Sequence, residues 1–441
     1  MQDTVFAPAT PAGGAIAVVR LSGPIAGEAL ARVFRPANGK GLAHRTMTFG
    51  RLMDGERVVD ECMACFFAGP ASYTGEDMAE VYLHGGQAVL KQALALLAPG
   101  LRPAEPGEFT KRAFLNGKLD LAQAESVMDL INASTERGAA SAAEQLGGSV
   151  GKAVRAFEDA LLELVSAIDA ALDFPDELEE TTLARLPGEV ARVIAEMDAL
   201  LAKSVRGRVL REGALVAIAG APNAGKSSLF NALVGSERAI VTALPGTTRD
   251  LLEETVDISG VPVRVVDTAG LRPCGDEAEQ IGVARAKEAV RRAELLLLAF
   301  DGAAPLTAED VELIRATTGR PRIGVVCKSD LSAVLSEGEL AALGLESVSV
   351  SAQSGEGLAA LRAGIASALL PQEESPLLTN ARHLDAILSA RDSLAALDVH
   401  DGADCASAQL RAALASLGRI TGRDASAETI ELIFSRFCVG K

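Results

Sequence analysis

At 441 residues the chain has room for two or three domains, each with a core of its own. Its 42 basic and 59 acidic side chains give a net charge of −17, which excludes tight nucleic-acid binding through bulk electrostatics. A hydrophobic content of 49% excludes a disordered chain, and the 3% aromatic share, with no Trp, leaves the cores to Ala, Leu and Val.

The opening stretch MQDTVFAPATPAGG offers neither a basic nor an apolar leader segment, so no secretory signal is expected. The run LLLLAF at 295–300 is strand-sized, so no membrane span is expected either. Six scattered cysteines suit free thiols in a reducing cytoplasm. Cys62 and Cys65 form a Cys-x-x-Cys within ECMACFFAG, which reads as a strand. Positions i and i+3 on a strand face opposite ways, so packing rather than chelation is expected.

Residues 1–118 read as a compact α+β unit. AIAVVRLSG predicts a strand, RTMTFGRLMDGERVVDECMACFF a hairpin turning at Asp54-Gly55, and AEVYLHGG a strand leading into the helix QAVLKQALALLA. From LDLAQAESVMDLINAST the text changes to Ala-rich helical periods over 119–212. GKAVRAFEDALLELVSAIDAALDF is stopped by Pro175, and another helix is expected after Pro187. Over 213–371 short apolar runs alternate with helices, the pattern of a parallel sheet with crossovers. Residues 372–441 return to Ala/Leu helices. The organisation predicted is multidomain α/β: an N-terminal α+β domain, then an all-α helical domain split by an inserted α/β domain.

Within the insert, LVAIAGAPNAGKSSLFNAL places Gly220, Gly225, Lys226 and Ser227 in a strand–loop–helix setting, the P-loop pattern. Inward backbone N–H groups and a helix N-terminus suit phosphate, Lys226 suits the β- and γ-phosphates, and the Ser227 hydroxyl suits Mg²⁺. VRVVDTAGLR ends a strand at Asp267, placed to hold the magnesium shell, with the Gly270 N–H for the γ-phosphate. Thr248, in PGTTRD, supplies a second hydroxyl for Mg²⁺. These parts read as a switch GTPase. Base selection falls to CKSD: Asp330 accepts two hydrogen bonds that guanine offers and adenine does not, while Cys327 replaces the usual Asn donor. SVSVSAQSGEG supplies the Ser351-Ala352 loop behind the base. Leu271 stands where many GTPases carry a water-orienting Gln, which leaves Asp276, Glu277 and Glu279 as alternatives. Arg249, or a monovalent cation at Asn223, is open as the source of transition-state charge.

The chain closes on FCVGK. A Cys fourth from the end invites a prenylation reading, but Val439, Gly440 and Lys441 do not fit that pattern.

Taken together, ATPAGGAIAVVRLSG, YTGEDMAEVYLHGG, RPAEPGEFTKRAFLNGKLDLAQAE, DFPDE, the G motifs and the closing FCVGK resemble the tRNA-uridine-modifying GTPase family known as MnmE or TrmE. The likeness covers essentially the whole chain. It implies a folate-binding, dimerising domain at 1–118, helical parts at 119–212 and 372–441, and a G domain at 213–371. It implies GTP contacts at Asn223, Ala224, Gly225, Lys226, Ser227 and Ser228, then at Thr242, Ala243, Leu244, Pro245, Gly246, Thr247 and Thr248. Asp267, Thr268, Ala269, Gly270, Lys328, Asp330, Ser351 and Ala352 complete that set. It implies Mg²⁺ at Ser227 and Thr248, and K⁺ at Asn223, Thr242, Leu244 and Thr247 in place of an arginine finger. Glu279 is singled out as the water-orienting acid. One-carbon tetrahydrofolate is implied at Arg20, Glu80, Lys118 and Lys441, with Cys438 near the one-carbon unit as either nucleophile or packed thiol. The implied assembly is a homodimer that joins the flavoprotein MnmG, which carries FAD, in a heterotetramer acting on the wobble uridine of tRNA. A GTP-regulated ribosome-assembly factor is the rival reading; it requires a basic RNA-binding module, and the helices here are acidic.

Overall fold

The computed structural model describes residues 3–204, 207–235, 253–267, 288–370 and 378–441, with 175–179 as backbone only. The chain divides into two units. One comprises Met1–Met128, Gly151–Glu158 and Leu414–Lys441; the other comprises Asp129–Val150 and Asp159–Ala413.

The first unit is built on a seven-stranded sheet in the order β3-β4-β5-β6-β2-β1-β7. Its strands are β1 (Val5–Pro8), β2 (Ile16–Ser22), β3 (Phe34–Pro36), β4 (Thr48–Asp54), β5 (Arg57–Phe67), β6 (Met78–His84) and β7 (Arg102–Pro103). β4 and β5 form the expected hairpin, with Asp54 opposite Arg57 and Gly55 left-handed at the turn. Helices α1 (Ala26–Val33) and α2 (Gln87–Leu97) bury Leu30, Val33, Leu90 and Leu97 against Val19, Leu21, Val81 and Leu83 of the strands. The period-two burial of β2 and β4 gives the sheet one covered face. Cys62 and Cys65 are both buried on β5, and burial pushes the Cys62 thiol up to about 12 and raises that of Cys65. A proton held so firmly fits the packing reading.

Helices α3 (Glu108–Leu115) and α4 (Leu121–Asn132) follow. Asp120 and Gln123 start α4 with a reciprocal cap: the Gln123 N–H donates to Asp120 Oδ1 at 2.8 Å, and the Asp120 N–H to Gln123 Oε1 at 2.9 Å. The last helix of the chain, Ala427–Phe434, buries Phe434 and, just beyond it, Phe437 with Leu121 and Ala124. Each such phenylalanine contributes roughly 2 kcal/mol of burial. The root of the C-terminal tail is thereby fixed.

In the second unit, α5 (Glu136–Leu146), α6 (Ser149–Asp173, of which Gly151–Glu158 belongs to the first unit), α7 (Pro175–Ser204) and α8 (Gly207–Glu212) precede a six-stranded sheet. Its strands are β8 (Ala214–Ala219), β9 (Glu253–Ile258), β10 (Val261–Asp267), β11 (Leu295–Asp301), β12 (Arg322–Cys327) and β13 (Ser347–Val350), in the order β13-β12-β11-β8-β10-β9. All neighbours are parallel except the edge pair β9–β10. β8 is buried at every position because helices cover both faces. Helix α9 (Lys226–Gly235) and helix Leu358–Leu369 supply Leu229, Phe230, Leu361 and Ile365 to one face. Ile314 and Leu340 pack on the other.

The break expected at Pro187 is absent: α7 starts at Pro175 and runs through Pro187 to Ser204. Pro175 takes the first helical position, where a missing N–H is tolerated. Pro187 costs about 3 kcal/mol in a helix interior. Burial of Leu186, Val190, Val193 and Met197, at roughly 1.5–3 kcal/mol apiece, outweighs it. Among the described residues no helix is long and apolar enough to cross a membrane.

Candidate functional site

β8 delivers the chain into the turn Gly220–Gly225, and α9 begins at Lys226. Asn223 is left-handed, a conformation that Asn adopts more readily than most residues. Buried Lys226 donates from Nζ to the carbonyls of Gly220 at 2.9 Å and Ala221 at 2.7 Å, so its ammonium closes over the loop. Ser227 Oγ donates to Asp267 Oδ2 at 2.7 Å, which joins the start of α9 to the end of β10. A hydroxyl beside a carboxylate is a hard-oxygen pair of the kind Mg²⁺ takes. Ala224 is buried in the core under the loop, and Ser228 continues the helix.

Beside this loop, Cys327 ends β12, buried, and a Cβ on Gly225 would stand 2.9 Å from its Cβ. Burial pushes its thiol up to about 12. It is a neutral spacer against the phosphate loop, with Sγ near the Val325 carbonyl at 3.8 Å. Lys328 is left-handed and pairs with Asp301 at 2.6 Å; that hydrogen bond holds the Asp301 carboxyl below its usual range. Asp330 is exposed. The Ser329 N–H donates to the Val350 carbonyl at 3.3 Å, tying the Lys328–Asp330 turn to the loop of buried Ser351 and half-buried Ala352. Sequence reasoning missed Asp301; its place at the end of the apolar strand LLLLAFD was the available signal. Thr242, Ala243, Leu244, Pro245, Gly246, Thr247, Thr248, Thr268, Ala269, Gly270 and Glu279 lie outside the described residues.

The second cluster lies in the first unit. Arg20 and Glu80 are cross-strand partners on β2 and β6, with Nε to Oε1 at 2.8 Å, and Tyr82 donates its hydroxyl to Glu80 Oε2 at 2.5 Å. The Arg20 guanidinium also faces the rings of Tyr73 and Phe109, each 5.6 Å from centroid to Cζ. The C-terminal tail docks here. Arg20 Nη1 donates to the Gly440 carbonyl at 3.4 Å, the Gly107 N–H to the Cys438 carbonyl at 3.3 Å, and the Phe109 N–H to the Lys441 carbonyl at 3.1 Å. Gly440 has φ +97°, and a Cβ there would stand 2.1 Å from the Pro8 carbonyl oxygen. Only glycine fits. Cys438 is exposed.

Lys118 lies along the loop that carries Tyr73: a Cβ on Gly75 would stand 3.3 Å from its Cγ, and Nζ donates to the Pro70 carbonyl at 3.2 Å. A cavity of 430 Å³ opens beside it, with Phe114, Asp120, Arg155 and Arg423 in its wall. The loop is pinned from below by Arg112, which is fully buried. Its guanidinium binds Asp3 Oδ1 at 3.0 Å, Glu76 Oε2 at 3.0 Å and Glu108 Oε1 at 2.8 Å. A buried cation needs this degree of satisfaction. Tyr73, Tyr82, Phe109 and Arg112 were not singled out from sequence; YTGEDMAEVYL and GEFTKRAF carried them in plain text.

A parallel sheet with one antiparallel edge, a phosphate loop opening onto a helix, an aspartate ending the neighbouring strand, and a Lys-x-Asp turn define a P-loop GTPase. The family model for the MnmE helical domain matches residues 121–438, and that for the N-terminus of the GTP-binding protein TrmE matches residues 4–118. A tRNA modification GTPase MnmE from Symbiobacterium thermophilum is 46% identical over 100% of both chains. Its counterpart from Chloroflexus aurantiacus is 43% identical over 100% of both. Among solved structures, the G domain of the T. maritima FeoB iron transporter is 28% identical, covering 35% of this chain and 96% of that one, with a TM-score of 0.27. The chain belongs to the MnmE family of tRNA modification GTPases. It hydrolyses GTP in an activity linked to tRNA modification.

Proposed function

We propose that this GTPase is activated by K⁺ and works with a flavoprotein partner to modify C5 of the wobble uridine of tRNA, drawing on a one-carbon tetrahydrofolate held by its N-terminal domain. The observation that carries this reading is the docked tail: Arg20, Glu80 and the Cys438–Lys441 backbone converge on one cluster. The side chains suit the ligand's chemistry. Glu80 accepts from the donor edge of a pterin, Arg20 and Lys118 bind carboxylate or formyl oxygens, and the cavity beside Lys118 carries Arg155 and Arg423 for an acidic tail. When bound, the folate supplies the transferred carbon. The chain's own part is to orient it beside the tail that ends in Cys438, Gly440 and Lys441.

At the nucleotide site, Ser227 and Thr248 hold Mg²⁺, Lys226 binds the phosphates, and Lys328 and Asp330 read guanine. Asn223, with Thr242, Leu244 and Thr247, holds K⁺ where its charge offsets that developing on the γ-phosphate. Glu279 orients the attacking water. The domain reading of 1–118, 119–212, 213–371 and 372–441 belongs to this proposal, as do the homodimer, the heterotetramer with the FAD-bearing partner and a cytoplasmic setting. With family membership over the whole length, no observation favours the assembly-factor alternative.

The deciding test removes the gene in its host and measures C5-modified wobble uridines by mass spectrometry of digested tRNA. Wild-type and Cys438→Ser chains are returned in parallel. Loss on deletion with rescue by wild type is the expected outcome; unchanged uridines overturn the proposal. Cys438 is exposed rather than packed, so rescue by Cys438→Ser removes its thiol from the chemistry.

A further inference from the structure

Helix α5 is held at both ends by contacts of different kinds. At its start, the Thr135 hydroxyl caps the helix by accepting the Gly138 N–H at 3.1 Å. Gly138 lies so close to α8 that a Cβ there would stand 3.2 Å from the Leu210 carbonyl oxygen. Between these two, the stem of Arg137 covers the β9–β10 turn. A Cβ on Gly260, which has φ +83°, would lie 2.8 Å from Arg137 Cδ and 2.9 Å from Cγ. At the other end, buried Gln145 donates from Nε2 to the buried Thr379 hydroxyl at 2.9 Å. Thr379 immediately precedes Asn380, whose side chain caps helix Ala381–Ala395.

The turn that Arg137 covers is not an arbitrary part of the GTPase sheet. β10 pairs with β9 from Val261↔Ile258 through Val266↔Glu253, and its far end is Asp267, hydrogen-bonded to Ser227 of the phosphate loop. A two-stranded ribbon therefore runs from the phosphate loop to the turn at Ser259–Gly260. From that turn, the eleven residues of α5, at about 1.5 Å each, span roughly 16 Å and end beside Thr379, at the start of the helix Ala381–Ala395.

We propose that α5 is the strut by which the nucleotide state reaches the helical segments, and that Arg137 is a positioning residue at its nucleotide end. Its apolar stem makes the contact with Gly260. The inference rests on GTP hydrolysis linked to tRNA modification, and is independent of the folate and K⁺ readings.

The test uses the full chain with Arg137→Ala, Arg137→Met and, at the opposite end, Gln145→Ala. GTP hydrolysis is measured on purified protein, and wobble-uridine modification after return to the deleted host. Hydrogen exchange of 136–146 is compared between GDP and a non-hydrolysable GTP analogue. Arg137→Ala is expected to lower modification about tenfold with hydrolysis changed less than about twofold, and to erase the exchange difference seen in wild type. Arg137→Met, which keeps the stem, restores both. Gln145→Ala reproduces the Arg137→Ala signature and decides the matter if that variant does not fold. Full modification by either alanine variant, parallel loss of hydrolysis, or an exchange difference that survives the substitution overturns the proposal.

Discussion

Arg20 and Glu80 stand directly opposite each other on β2 and β6, and the guanidinium that grips the carboxylate at 2.8 Å also donates to the carbonyl of Gly440, 420 residues further along the chain. A pair set this way anchors the tail, and under the proposed function it also binds the folate. Arg20→Gln is expected to weaken tetrahydrofolate binding by about 10–100-fold, the loss of one charge-assisted contact. The chain has two tyrosines, Tyr73 and Tyr82, both in this cluster, and no Trp. Intrinsic tyrosine fluorescence therefore reports the titration directly, and unchanged affinity in the variant removes Arg20 from the site.

Tail docking is expected to be separable from GTP hydrolysis. Gly440→Ala places a methyl 2.1 Å from the Pro8 carbonyl oxygen on a left-handed backbone, so the last residues must leave their seat. Folate binding and wobble-uridine modification should fall together while GTP turnover on the purified protein stays at the wild-type rate. Loss of turnover would contradict the independence of the two sites.

Ser227→Ala removes the hydroxyl shared between the phosphate loop and Asp267. Hydrolysis should drop by about 10²–10³-fold, the scale of one lost electrostatic group at a reacting centre. The dependence on Mg²⁺ concentration should shift upward. A wild-type magnesium profile in a slow variant would place the metal elsewhere.

Cys327→Asn tests what the neutral thiol withholds from guanine. The amide restores a strong donor next to Gly225, worth about 0.5–1.5 kcal/mol net, so GDP affinity measured with a fluorescent analogue should rise about 2–10-fold. Weaker binding with a lowered Tm would show instead that the pocket has no room beyond sulfur. The wild-type thiol, pushed up to about 12 by burial, should resist alkylation at neutral pH.

Acid should loosen the N-terminal unit through the Arg112 network. Hydrogen bonding to Arg102 is the chief cause holding Asp3 below its ordinary value. For Glu108, burial acts to raise the pKa, but hydrogen bonds from Arg102, the Glu105 N–H and Arg112 bring it below normal. A carboxylate with a depressed folded-state pKa adds stability above its unfolded value, near 4, and loses it as pH falls through the folded value. Thermal unfolding followed by tyrosine fluorescence should show Tm falling below about pH 4. Glu108→Gln should lower Tm at neutral pH and flatten that fall. An unchanged acid slope would exclude Glu108 as the titrating group.

By itself the sequence determined the phosphate loop, the strand ending at Asp267, the Lys-x-Asp turn and the alternation of strands and helices. Each is a local matter of glycine placement, periodicity and capping within about one turn or strand of its neighbours. The same locality explains the error at Pro187, where a helix-breaking residue is a local signal and the burial that overrides it is not. Only the tertiary structure decided that Arg20 meets Glu80 and the Gly440 carbonyl, that Arg112 lies buried among Asp3, Glu76 and Glu108, and that the Arg137 stem rests on Gly260. Apart from Glu108, one helical turn from Arg112, those contacts join residues dozens to hundreds of positions apart. Pairing of that kind follows from sheet register and close packing, which no single stretch of sequence contains.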